Sequence, residues 1–143
     1  MNYWKKGCTY LLENDPVFKH YFNPNHQLKT NKNKFDVLFK SICSQQISVS
    51  AAMSIYKHSK RIIGPINFKN FKTNKNKIKN LPLSKNKKKC LNSLLNNYHL
   101  VTDIKLNNSN FEKVNNNLTQ IFGIGKWTAE MFSIFYLLSL IHI

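Results

Sequence analysis

The sequence predicts an all-α fold, and three observations carry that expectation. Apolar residues recur at three- and four-residue steps in several segments. No stretch alternates apolar and polar residues with period two, as a half-buried strand would. Serine, asparagine, glycine and proline stand where one periodic segment gives way to the next, as helix caps and breakers do. The chain has 143 residues, of which 42% are apolar and 13% aromatic, which suits a single domain, residues 1–143, built around one core.

The elements follow in order. Asp15-Pro16 is an N-cap followed by proline in the first turn, with Val17, His20 and Tyr21 on one face beyond it. Residues 23–34 form a polar connector without apolar period. Phe35, Leu38, Phe39 and Ile42 mark a helix, and Val49, Ala52, Met53 and Tyr56 repeat the pattern. Between them lies Gln45-Gln46-Ile47-Ser48. Periodicity lets one helix run through, whereas Ser48 as a cap starts a second, which Gly64-Pro65 ends. Residues 67–80, rich in Lys and Asn, are expected to be a solvated loop with at most one helical turn. Ser84 caps a helix that buries Leu91, Leu94, Leu95 and Tyr98, and residues 99–108 connect onward. Asn110 caps a helix bearing Phe111, Val114, Leu118 and Ile121. Gly123-Ile124-Gly125 interrupts it, and a last helix carries Trp127, Met131, Ile134, Phe135 and Leu138.

Charge narrows the partners. Lys and Arg number 22 against 6 acids, a net charge of +16. Such a surplus favours a polyanion, either nucleic acid or an anionic membrane surface. Codon drift toward Lys and Asn is the competing source of the lysines, although it does not account for the shortage of acids. The apolar run Met131–Ile143 is too short to span a bilayer, so no membrane partner is expected. Cys8, Cys43 and Cys90 are scattered, odd in number and without a C-x-x-C pair, as in a reducing compartment. No basic-then-apolar leader opens the chain. The expected location is the cytoplasm of a bacterial-type cell, with the nucleoid.

The two glycines at 123 and 125 lie between two apolar-periodic helices. Glycine permits positive φ and close backbone approach. The helix that follows presents its unpaired N–H groups, a ready phosphate site, and Lys126 adds a charge beside it. On pattern alone the glycines serve equally well to turn a plain αα-hairpin. The residues by themselves also leave Trp127 as either a core tryptophan or an exposed platform. Gln45 and Gln46 are likewise either helix-bridging glutamines or projecting ones.

Leu118-x-x-Ile121-x-Gly-Ile-Gly-Lys-Trp-Thr-Ala-Glu-Met-Phe132 resembles the signature of the helix-hairpin-helix (HhH-GPD) DNA glycosylase superfamily, and its DNA-3-methyladenine glycosylase II branch most closely. Asp15-Pro16, the stretch from Phe35 through Gln45-Gln46-Ile47-Ser48 to Ala51-Ala52, and Leu81-x-Leu83-Ser84-x-x-Lys87 agree in order and spacing. The resemblance covers nearly the whole chain from about residue 11 and places the helix-hairpin-helix at about residues 110–140. It implies a helical bundle and a monofunctional hydrolase that flips an alkylated purine out of double-stranded DNA and cuts its N-glycosidic bond. Unstacking is least costly at damaged pairs, and a cationic alkylated base stacks well on an aromatic face.

The resemblance also assigns residues. Gln46, with Gln45, is the wedge that fills the gap left by the flipped base, and Trp127 lines the base pocket. Gly123, Ile124, Gly125, Lys126 and Thr128 form the phosphate-binding hairpin. A sodium or potassium ion would be held by the backbone carbonyls of Thr119, Ile121 and Ile124. The endonuclease III-like branch carries its Schiff-base lysine where this chain has Trp127. Lys126 points about 100° away on a helix, so no lyase step is expected. No cysteine follows Cys90, so no iron–sulfur cluster is expected either.

The resemblance further implies an essential aspartate in a Pro-x-Asp-Asp-like segment, at about residue 147 by the family's spacing. That position lies past Ile143, so the expectation is a C-terminally incomplete bundle whose 143 residues are inactive or impaired by themselves. Glu130, three residues after Trp127, is the substitute that helical spacing offers. Glu13, Asp15, Asp36, Asp103 and Glu112 read as caps, first-turn charges or connector residues. The apolar face from Met131 to Leu140 is expected to be partly exposed. A non-catalytic helix-hairpin-helix DNA-binding module is the alternative function.

Overall fold

Why the chain folds as it does is clearest at its third helix. In the computed structural model, which describes residues 3–21, 32–104 and 111–137, the side chain of Asn33 accepts the N–H of Asp36 and starts a helix at Lys34. The elements in order are α1 (Tyr3–Asn14), α2 (Phe18–Tyr21), α3 (Lys34–Ser44), α4 (Val49–Ile63), α5 (Phe68–Thr73), a 3-10 helix (Lys75–Asn80), α6 (Lys85–Asn96), α7 (His99–Thr102), α8 (Phe111–Thr119) and α9 (Lys126–Phe132), which runs on into a π-helical turn (Ser133–Leu137). No strand occurs among the described residues, so the fold is all-α.

Helix α3 is the axis of the core. Phe35, Leu38, Phe39 and Ile42 are fully buried, and α4, α6 and α9 pack against them. Each such side chain contributes about 1.5–3 kcal/mol through apolar burial. Phe71 reaches in from α5, with its ring 4.9 Å from both Phe35 and Phe39. Phe68 stacks on Tyr98 at 4.1 Å. The first turn of α3 carries one buried acid. Asp36 accepts a 2.6 Å hydrogen bond from the Tyr56 hydroxyl and lies 2.8 Å from Lys40 Nζ. Burial, and then that bond, push the Tyr56 hydroxyl well above the ordinary tyrosine range.

The expected caps at Ser48 and Ser84 are formed. Their side chains accept the N–H groups of Ala51 and Lys87. Asp15 accepts the N–H of Val17 ahead of α2, although Val17 itself is exposed rather than part of a buried face. Gly64 ends α4 at φ 92°, and its N–H donates to the Lys60 carbonyl.

Several expectations need correction. Residues 67–80 are not a loop: Asn67 caps α5, and a 3-10 helix follows. The two apolar anchors there, Phe71 and Ile78, are buried among lysines and asparagines, so packing supplies what periodicity did not. The connector after Tyr98 begins with α7, whose Val101 is buried. On α4, Val49 is 83% exposed and Met53 also faces out, whereas Ala52, Ser59 and Ile63 face the core. The last helix is rotated from its expected face. Thr128, Ala129, Phe132, Ser133 and Tyr136 are buried, while Trp127 and Phe135 are exposed. Small residues at 129 and 133 let this helix lie close to α3, and the Ser133 hydroxyl bonds back to the Ala129 carbonyl. Asn110 as a cap, Leu138 and the stretch to Leu140 lie outside the described residues.

Candidate nucleic-acid interface

Two turns from distant parts of the chain meet on one side of this bundle. The first joins α3 to α4. Gln45 leaves the helix at φ −55°, ψ 122°, and Gln46 follows at φ 57°. Left-handed backbone costs a residue with a side chain about 1–2 kcal/mol, and strain of this kind collects where a side chain must be aimed. The chain therefore breaks into two helices at this point, and Gln46 stands exposed at the break. Ile47 and Val49 are exposed beside it.

The second turn joins α8 to α9. Ile121 N–H donates to the Leu118 carbonyl and Ile124 N–H to the Ile121 carbonyl, so the chain winds tightly from helix to helix. Buried Ile121 and Ile124 anchor the turn, and exposed Phe122 projects between them. Gly123 has φ 82°, and a Cβ there would lie 2.7 Å from Cys90 Cβ and 2.9 Å from its Sγ. Only glycine fits. Gly125 is different: a Cβ would meet nothing within 4 Å, and its place is that of N-cap to α9, with φ −86° and no side-chain cap. The first N–H groups of α9 therefore open toward the same side as Gly125, where a phosphate oxygen is the natural acceptor. Lys126 follows, with its side chain 80% exposed and its Nζ 3.9 Å from Glu130 Oε1.

The remaining candidates fall into place around these turns. Trp127 is 60% exposed, which excludes the core-tryptophan alternative. The Thr128 side chain is buried, so a phosphate contact there belongs to its backbone N–H. Glu130 is half-buried and directed to Lys126. The Ile121 carbonyl accepts the Ile124 N–H at 3.0 Å and keeps a second lone pair. No group of three or more His, Cys, Asp or Glu gathers as a metal site among the described residues.

Neither a protein-family model nor a curated protein matches the sequence. Solved structures do match. A DNA-3-methyladenine glycosidase from Bacillus halodurans superposes with a TM-score of 0.69 and 27% identity, over 91% of this chain and 63% of that one. The 3-methyladenine DNA glycosylase Mag1 of Schizosaccharomyces pombe, in complex with abasic DNA, superposes with a TM-score of 0.63 and 25% identity, over 85% of this chain and 63% of that one. This chain has the fold of the helix-hairpin-helix DNA glycosylases. It spans 63% of the length of each of these two proteins.

Within this glycosylase fold, four side chains brace the hairpin and the adjoining end of α3. Gln45 Nε2 donates to the Gly123 carbonyl at 2.9 Å, so the second candidate wedge residue is bonded to the hairpin and Gln46 is the one that projects. Ser93 Oγ accepts the Phe122 N–H at 3.0 Å, and Cys90 fills the space beside Gly123. Lys87 Nζ donates to the Cys43 carbonyl at 2.8 Å and so holds the end of α3 against α6. These partners lie 29 to 78 positions apart, and no local pattern signals them.

No Asp or Glu occurs between Asp36 and Asp103, a span rich in lysine that includes α4, α5 and α6. The nine lysines and one arginine exposed at 57, 60, 61, 69, 72, 75, 77, 79, 85 and 89 form no salt bridge to a carboxylate among the described residues. The thiols contribute packing rather than charge: burial pushes Cys43 up to about 12 and Cys90 up to about 11. Burial also lowers Lys87 from its ordinary value.

Proposed function

We propose that this chain is the DNA-recognition part of a monofunctional DNA glycosylase that removes alkylated purines of the 3-methyladenine type. One observation carries the proposal: the turn that carries the exposed, left-handed Gln46 is bonded to the Gly123-Ile124-Gly125 hairpin, with the exposed Trp127 two residues beyond it. A phosphate binder alone needs the hairpin but neither a projecting residue nor an aromatic platform. In this account the hairpin and Lys126 hold a backbone phosphate, and a sodium or potassium ion on the carbonyls of Thr119, Ile121 and Ile124 bridges protein and DNA. Gln46 occupies the gap in the duplex, and Trp127 receives the flipped cationic base. The likeness to a glycosylase solved with abasic DNA supports duplex DNA as partner.

Glycosidic cleavage also needs a carboxylate placed at the developing sugar cation. Glu130 lies 3.9 Å from the exposed Lys126 ammonium, and Asp36 is hydrogen-bonded to Tyr56 and Lys40. Within this proposal the 143 residues bind a lesion-bearing duplex and release little or no base.

The test is direct. Fluorescence anisotropy should show tighter binding to a duplex with a tetrahydrofuran abasic analogue than to the same duplex undamaged. Gly125→Ala should weaken both, and Gln46→Ala should remove the preference. Equal binding to both duplexes would leave a plain helix-hairpin-helix module, and release of 3-methyladenine from methylated DNA would show that a carboxylate among these residues serves.

A further inference from the structure

Gln45 and Gly123 are 78 positions apart, yet the amide of one bonds the carbonyl of the other at 2.9 Å. The bond belongs to a closed ring of contacts. Lys87 ties the end of α3, just before Gln45, to α6. Cys90 and Ser93, one and two turns further along α6, hold Gly123 and Phe122 of the hairpin. Gln45 closes the ring by joining the hairpin back to the α3–α4 turn. The other hydrogen bonds of the turn are local, from the Ile47 N–H to the Ser44 carbonyl and from the Ala51 N–H to Ser48, while Gln46, Ile47 and Ser48 are exposed and Gln46 is left-handed.

The hydrogen bond also orients a peptide group. The Gly123 carbonyl and the Ile124 N–H belong to one trans peptide and point to opposite sides: the N–H donates to the Ile121 carbonyl within the hairpin, and the carbonyl accepts from Gln45 of the α3–α4 turn.

We propose that Gln45 is a positioning residue that clamps the Gly123 carbonyl and so sets the height of Gln46 over the hairpin, which makes phosphate capture and lesion probing one event. This inference rests on Gln46 being the wedge. Gln45 acts through its neighbour, so its loss reduces discrimination between damaged and intact DNA and leaves general affinity alone.

The experiment uses the full chain and two duplexes, one with a tetrahydrofuran abasic analogue and one intact. Gln45→Met keeps the length of the side chain and loses the donor. It is expected to reduce the preference for the abasic duplex by about 3–10-fold, the range of one net hydrogen bond. Affinity for the intact duplex should change by less than about twofold, and Gln45→Glu, which sets acceptor against acceptor, should lower the preference at least as far. The variant Gln45→Met/Gln46→Ala should match Gln46→Ala alone, because a residue that acts through the wedge has no effect without it. Additive losses, or equal weakening on both duplexes, would overturn the positioning role and leave the wedge intact. If the native chain shows no abasic preference and Gln46→Ala changes nothing, the wedge assignment itself fails.

Discussion

Gly123→Ala is the sharpest test of the hairpin's geometry. Alanine at φ 82° costs about 1–2 kcal/mol in backbone strain. Its Cβ would also sit 2.7 Å from Cys90 Cβ, well inside van der Waals contact, and the Cys90 Cα at 3.6 Å belongs to the α6 backbone, which cannot easily retreat. Overpacking of this kind costs about 1–3 kcal/mol. The two effects together predict a loss of about 2–5 kcal/mol, a large part of the 5–15 kcal/mol that holds a domain of this size together. At about 3 °C per kcal/mol, Tm should fall by about 6–15 °C, as read by circular dichroism and checked by urea denaturation. Gly125→Ala is the internal control. Its Cβ enters open space at an allowed φ, so the cost is the weaker N-cap alone, about 0.5–1 kcal/mol. In a double-mutant cycle, Cys90→Gly should recover the overlap in the Gly123→Ala background, whereas Cys90→Ala, which keeps the offending Cβ, should not. Equal Tm values for the two glycine variants, or a loss below about 0.5 kcal/mol for Gly123→Ala, would refute the close approach of hairpin and α6.

Trp127→Ala should cost less than about 1 kcal/mol because the side chain is mostly exposed, whereas Phe132→Ala, at 0% exposure on the same helix, should cost about 3–5 kcal/mol in urea denaturation. A marked destabilisation by Trp127→Ala would return that residue to the core. Tyr56→Phe should cost about 1.5–3 kcal/mol by removing the 2.6 Å bond to buried Asp36, measurable by the same method. The Cys43 thiol is raised in the fold, so its contribution is fully present below the ordinary thiol value near 9 and is lost as pH rises toward about 12. Stability should therefore decline over that alkaline window, and Cys43→Ala should flatten the decline in pH-dependent denaturation. Lys85→Gln/Lys89→Gln removes two exposed charges from α6 beside the hairpin, and should reduce the slope of log affinity against log salt by up to about 2 in DNA titrations.

How much of this was legible in the chain depended on whether the signal was local. Four apolar residues at helical spacing specify α3 wherever it packs, and Ser48 and Ser84 cap their helices through bonds only three residues long. The two glycines between helices likewise mark a hairpin without outside help. Other questions stayed open for a physical reason. Periodicity ran on from Phe35 through Tyr56, and only the left-handed backbone at Gln46, held within a ring of distant contacts, splits it into two helices. Residues 67–80 carry just two core anchors in a polar background, so their helices exist because Phe71 and Ile78 find a core to enter. The last helix offered two apolar faces, and the close approach of Ala129 and Ser133 to α3 decided that Trp127 faces solvent. The sequence by itself determined the helices, their caps and the presence of the hairpin, because those depend on neighbours within a turn or two. Tertiary structure alone decided which side of α9 is open, which glutamine projects and which glycine is indispensable, because each answer rests on a surface supplied by a distant part of the chain.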